Sequence, residues 1–308
     1  MADGSRRRPA SAGAAGALVL AAALSLPVGA AQPDAVRALC APVDQAPAAL
    51  ARRAAALDDA GRSAAAALAA SAAPADALCG VSVLAAVRDP RVGPLLVAAV
   101  QSPALREDAF RLVRWAAFVA GGPDPAAGRA VLPLVAVLES PALRAAVGDD
   151  AVRLLGEIDA DEARARLLAE LERPASEASA DAAIHGLARQ REARARQRVH
   201  ALGRAVASTL STNPVYEESR RMAAVAFYEL ALGADAAADG LAMLGYLPAS
   251  DQADAGAWAV QTLCEQGVRH PDRRAALDAE RAALIAALDA RGLAWRPLAR
   301  GMFPCPSP

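Results

Sequence analysis

The chain has 308 residues, 88 of them Ala and none Lys, so all 33 basic side chains are Arg. Aromatics make up 3%, Ile and Thr occur three times each and Asn213 is the sole Asn, which leaves too little β-branched and aromatic stock for a sandwich or barrel and excludes an all-β fold. With 34 acids against 33 bases the formal charge is -1, and no bulk nucleic-acid signal is present.

Ala is the best helix former and Arg follows closely, so nearly every window is biased toward helix. The complete replacement of Lys by Arg, with abundant Ala, Gly, Pro and Val, points to coding bias from a GC-rich genome. An Arg at any one position is therefore a weak sign of carboxylate or phosphate recognition.

The first element is an address. Arg6, Arg7 and Arg8 precede an uncharged apolar stretch from Ala12 to Leu26, then Pro27 and small residues. This is a secretory signal pattern over 1–31, with cleavage expected before Ala31 or Gln32; an uncleaved membrane anchor is the alternative. Export makes the protein periplasmic or extracellular, and it changes how the cysteines read. Cys40, Cys79, Cys264 and Cys305 fall as one pair near each end of the mature chain, and the pairing Cys40 with Cys79 and Cys264 with Cys305 encloses about forty residues each time. Two free buried thiols at Cys79 and Cys264 are the alternative.

Residues 32–75 read as an alanine-rich helical cap. From 76 to 173 a repeated unit follows. Ser102-Pro103-Ala104-Leu105-Arg106 recurs as Ser140-Pro141-Ala142-Leu143-Arg144, Pro94-Leu95-Leu96-Val97 matches Pro133-Leu134-Val135-Ala136, and Asp108 to Val113 is echoed by Asp150 to Leu155. Each unit reads as two helices: Val92 to Val100 and Val131 to Leu138 come first, and a Ser N-cap with Pro at the first helical position opens the second. The longer offset of the last block predicts one extra helical turn in the second copy. Neither helix of a pair buries its apolar stripe alone, and stacked pairs bury both, which favours an elongated stack over a fat globule. From 174 to 293 further helices are expected at 177–190, 192–211, 215–232, 234–246, 250–267 and 273–291, with glycines at helix ends as caps. A Pro-rich tail, 294–308, closes the chain.

Two stretches of the repeat carry a family resemblance. Leu84-Ala85-Ala86-Val87-Arg88-Asp89-Pro90-Arg91-Val92-Gly93-Pro94-Leu95-Leu96 and Ala151-Val152-Arg153-Leu154-Leu155-Gly156-Glu157-Ile158-Asp159-Ala160-Asp161-Glu162-Ala163 resemble HEAT repeats of the short bacterial, PBS-lyase type. Asp89-Pro90 and Asp124-Pro125 keep that family's turn, and Asp159-Ala160-Asp161 keeps the acid without the Pro. The resemblance covers 76–173 and implies an all-α fold, an α-solenoid of stacked antiparallel helix pairs forming a superhelix. It also implies interaction with another protein more than catalysis.

Chemistry is sparse. His185, His200 and His270 stand in no metal or triad context, no nucleotide-binding Gly loop occurs, and no zinc or calcium spacing is present, so no cofactor, metal or catalytic set is assigned. The sharpest charge feature is the run from Arg189 to Arg204, six Arg and one Glu between 186 and 204. It reads as a solvated connector or, through Arg191, Arg194 and Arg198, as a surface for anionic lipid or glycan. A second candidate is a ladder on second helices, Arg106, Arg111, Arg114, Arg144 and Arg153, which in HEAT-like stacks lines the concave side. The leading expectation is an exported, non-enzymatic scaffold or binding module for another protein of the cell envelope, monomeric or weakly oligomeric and without nucleic acid. A helical exported enzyme, with Arg114, His185 and Glu218 converging from scattered positions, is the rival.

Overall fold

A computed structural model describes residues 32–41, 47–106, 133–211 and 216–293. Among them every regular element is helical and no strand occurs. The helices are α1 (Gln32–Cys40), α2 (Pro47–Ala54), α3 (Asp59–Ala69), α4 (Pro74–Ala86) and α5 (Val92–Gln101), then α6 (Pro133–Leu138), α7 (Pro141–Val147), α8 (Asp150–Leu155), α9 (Asp161–Glu172) and α10 (Glu177–Arg189). A 3₁₀ turn, Ala193–Ala195, leads into α11 (Arg196–Leu210), followed by α12 (Tyr216–Leu232), α13 (Ala234–Leu244) and α14 (Ala249–Arg269); the 3₁₀ turn Pro271–Arg273 then opens onto α15 (Arg274–Asp289). The expected signal segment, Asp124-Pro125, Cys305 and the tail 294–308 lie outside the described residues, as does the helix expected after Ser102-Pro103.

Local chemistry sets the helix starts. Asp58 accepts a hydrogen bond from the Gly61 amide at 2.8 Å, and Ser140 accepts one from Leu143 at 3.2 Å with Pro141 at the first helical position. At α10, Ser176 and Ser179 form a reciprocal capping box, each side chain accepting from the other's amide at 3.0 Å. The second unit differs from expectation at its second helix. The four extra residues do not lengthen it; Gly148, at φ +59, stops α7, and the chain restarts as α8.

In the C-terminal half alternate helices form a row. α8, α10, α12 and α14 pack one on the next, while α9, α11, α13 and α15 lie against them as hairpin partners. α12 is deeply enclosed, with Met222, Ala224, Val225, Ala226, Phe227, Tyr228 and Leu230 all buried. In the N-terminal part α1 and α2 pack on α3 and α4, and a Cys40–Cys79 disulfide ties α1 to α4 with 5.7 Å between the Cα atoms. Cys264 also carries a disulfide; its expected partner, Cys305, is outside the described residues.

Glycines do more than cap. Gly80 and Gly186 sit inside helices: a Cβ on Gly80 would run into the α3 backbone at Ala65 and Ala69, and one on Gly186 would lie 3.0 Å from Gly156 Cα. At these crossings backbone meets backbone, which explains why a residue with low helix propensity stands mid-helix. The row also curls more tightly than an elongated stack would. Arg269 of α14 lies 3.9 Å from Glu157, and His270 lies 3.3 Å from Asp159, although these partners are over a hundred positions apart.

Candidate functional site

Because α8, α10, α12 and α14 share one layer, the turns that leave them emerge on one edge. There they surround a cleft of about 550 Å³. Asp159 and Arg164 come from the turn into α9, Gln190, Arg191 and Arg196 from the turn into α11, Leu232 and Asp235 from the turn into α13, and Gln266, His270 and Arg273 from the turn into α15.

The turn after α10 is built by a device that the sequence carries twice. Arg191 adopts φ +50, its amide donates to Ala188 O at 3.0 Å, and the Glu192 amide donates to Leu187 O at 2.9 Å. Glu192 then accepts from the Arg194 amide and, through both carboxylate oxygens, from the Arg194 guanidinium at 2.7 and 2.9 Å. After α4 the same bonds recur: Arg88 has φ +54, the Asp89 amide donates to Leu84 O at 2.9 Å, and Asp89 receives the Arg91 amide and both guanidinium arms. Left-handed backbone costs a non-Gly residue about 1–2 kcal/mol. At Arg191 the side chain offsets it, donating to Ala231 O at 2.9 Å and Leu232 O at 2.7 Å and pairing with Glu280. The signal was present in the sequence as Arg88-Asp89-Pro90-Arg91 and Arg191-Glu192-Ala193-Arg194, the only two Arg-acid-x-Arg runs in the chain.

Behind the cleft lies a buried ionic cluster. Arg189 reaches Glu157 at 3.1 Å and Glu265 at 3.5 Å, Gln261 donates to Glu265 at 2.9 Å, and Gln266 donates to Arg189 O at 2.7 Å. The Arg189 guanidinium also sits 5.3 Å from the Trp258 ring centroid, a cation–π contact. Long side chains thus bridge α14 to α8 and α10, where helix backbones themselves barely touch. On the other wall Arg196 binds Glu229 at 3.2 Å and Asp239 at 3.0 Å. Burial pushes the Glu229 carboxyl up, against the pull of Arg196 and His200. Arg164 holds Asp159, and also Asp161 at 2.7 Å.

The expected arginine surface therefore divides. Arg191 turns inward and spends its charge on carbonyls and Glu280, Arg194 folds onto Glu192, and Arg198 and Arg204 stand exposed without an ion pair among the described residues. Of the ladder, Arg106 donates to Val100 O at 3.3 Å, Arg144 pairs with the buried Glu170 at 2.7 Å, and Arg153 pairs with Asp150 at 3.6 Å; Arg111 and Arg114 lie outside the described residues. Each described member of the ladder is engaged by an acid or a backbone carbonyl.

The scattered-enzyme set is not assembled among the described residues. His185 packs on Phe227, with ring centroids 5.2 Å apart, and burial reinforced by the charges of Arg189, Arg153 and Arg220 drives its imidazole down to about 3. Glu218 faces Arg221, which also holds Glu177 and Asp181. No group of three or more metal-ligating side chains occurs among the described residues, and no described helix is long and apolar enough to cross a membrane.

No protein-family model, curated protein or solved structure matches the chain.

Proposed function

We propose that the chain is an exported α-solenoid of HEAT-like helix pairs and that it works as a non-enzymatic binding or scaffold module for another protein of the cell envelope. The observation that supports this reading is the order of packing in which α8, α10, α12 and α14 stack consecutively while α9, α11, α13 and α15 each pack against a member of that row. Stacked pairs joined by short turns, each contacting its neighbours, are the arrangement of helical repeat proteins. The repeated turn after α4 and α10 supports it, since the same hydrogen bonds recur at two helix ends. The Cys40–Cys79 bridge supports export, because disulfides persist in oxidising compartments.

Interaction fits this fold better than catalysis. Asp159 and Glu229 are engaged by arginines and His185 is held neutral, so none of these three is a poised acid or base. The run 189–204 fits a structural connector better than an anionic docking surface, since Arg189, Arg191 and Arg196 are spent inside the fold.

The test is affinity capture from native envelope fractions with cross-linking, together with the intact mass of the exported protein. Recovery of one envelope protein in near-stoichiometric amount, with a mature chain starting at 31 or 32, is the expected result. A strict monomer that captures nothing, or a chain retained in the cytoplasm, overturns the reading.

A further inference from the structure

Charges around the cleft cancel in pairs, with two exceptions. Arg164 is matched by Asp159 and Asp161, Arg191 by Glu280, and Arg196 by Glu229 and Asp239. Arg273 and Asp235, both exposed at the rim, make no ion pair among the described residues. The floor is unsatisfied in the same two-signed way. Gln190, 9% exposed, directs its amide NH₂ to the carbonyls of Leu155 and Ile158 at 3.1 and 2.8 Å, while its Oε1 has no hydrogen-bond partner among the described residues. Arg191 Nη1 is a donor in the same condition.

Buried polar atoms without partners are few in native proteins and call for an explanation. Two of them beside a polar cleft, with one free cation and one free anion at its rim, mark a place for a ligand. The pairing also selects among ligand classes. A phosphate or polyanion would meet the acids paired to every arginine except Arg273, and an amine alone would meet the arginines. No Phe, Tyr or Trp lines the cleft, which disfavours a stacked sugar or an apolar ligand.

We infer that the cleft between the turns after α8, α10, α12 and α14 binds a small zwitterion of the α-amino acid or short-peptide class. Arg273 receives the carboxylate and Asp235 the ammonium at the rim, above the unpartnered Gln190 Oε1 buried in the floor. About 550 Å³ accommodates an amino acid or a dipeptide with a few waters. The inference is independent of export and of any protein partner, because it rests on this cleft alone.

The test uses the purified full-length mature protein, thermal unfolding and calorimetric titration. The probes are the free α-amino acids and Ala-Ala, set against N-acetyl-alanine, alanine methyl ester and inorganic phosphate. At least one zwitterion is expected to raise the midpoint by about 2 °C when present at ten times its Kd, while both capped derivatives and phosphate have no effect. Arg273→Ala and Asp235→Asn should each weaken binding at least tenfold, and Arg204→Ala on exposed α11 should leave it unchanged. No response to any zwitterion overturns the proposal. So does equal binding of N-acetyl-alanine or phosphate, which would make the cleft a simple anion site.

Discussion

Gly156→Ala probes the closest approach in the helical layer. Gly156 caps α8 with φ -64 and ψ -21, a conformation Ala adopts freely, so the backbone alone favours the substitution by about 0.4–1 kcal/mol. The added Cβ, however, would lie closer than 3.0 Å to Gly186 Cα, and backbone cannot swing aside as a flexible side chain can. α8 and α10 would have to separate by roughly an ångström, and overpacking of that kind costs about 1–3 kcal/mol. Gly245→Ala is the matched control: its φ of -59 and ψ of -16 are nearly the same, and its Cβ would meet only Ala242 O at 3.2 Å. Urea denaturation followed by far-ultraviolet circular dichroism measures both. Gly156→Ala should fall about 2 kcal/mol below Gly245→Ala with an unchanged m-value. Equal stabilities would refute the backbone-on-backbone crossing and the layer built on it.

Other outcomes follow from the same contacts. Replacing Cys40 and Cys79 by Ser should cost about 4 kcal/mol on the chain-entropy estimate for a separation of 39, with hydrogen exchange rising first in α1 and α2; an unchanged unfolding midpoint would mean that the bridge constrains nothing. Glu170 accepts from Arg144, Ala175 and Ser179 at 2.7, 3.0 and 2.7 Å, and Glu170→Ala should lose about 3 kcal/mol in denaturant titration because it strands a half-buried guanidinium. Burial pushes that carboxyl up, but those bonds outweigh it and hold it low, so its contribution is present above the ordinary Glu range and disappears as pH falls below it. His185 has a folded value of about 3 against 6.5 in the unfolded chain, so its neutral form stabilises the fold above pH 6.5 and that contribution drains away as pH falls toward 3. At pH 5.5 the loss is about 1.3 kcal/mol relative to neutral pH, and His185→Leu should remove that part of the acid slope; an identical slope in the variant counts against it.

Local features were legible in the sequence because local physics decides them. The helix expected at 177–190 is Glu177–Arg189, that at 215–232 is Tyr216–Leu232 and that at 250–267 is Ala249–Arg269, since apolar spacing and end residues act within a few turns. The Cys40–Cys79 pairing also followed from spacing. Direction was not legible. A run of six arginines shows how many charges are present, not that Arg191 turns back to Ala231 O while Arg198 stays in solvent. Glycine in this composition reads as a cap, and only the packing of Gly186 on Gly156 reveals a crossing. The cleft escaped entirely, because its walls come from four turns and its pairs, such as Asp159 with His270, are long-range.

The convergence of those four turns is the central structural claim, and one distance measures it. In an open stack the first and fourth members of a layer stand three helix spacings apart, roughly 25–30 Å; here His270 Nε2 lies 3.3 Å from Asp159 Oδ2. Spin labels carried on unnatural ketone side chains at the exposed positions Glu162 and Asp272 avoid the native cysteines. Strong dipolar broadening in the doubly labelled protein, absent from either single label, is the predicted result. A doubly labelled spectrum equal to the sum of the single ones would place the turns apart and contradict the account.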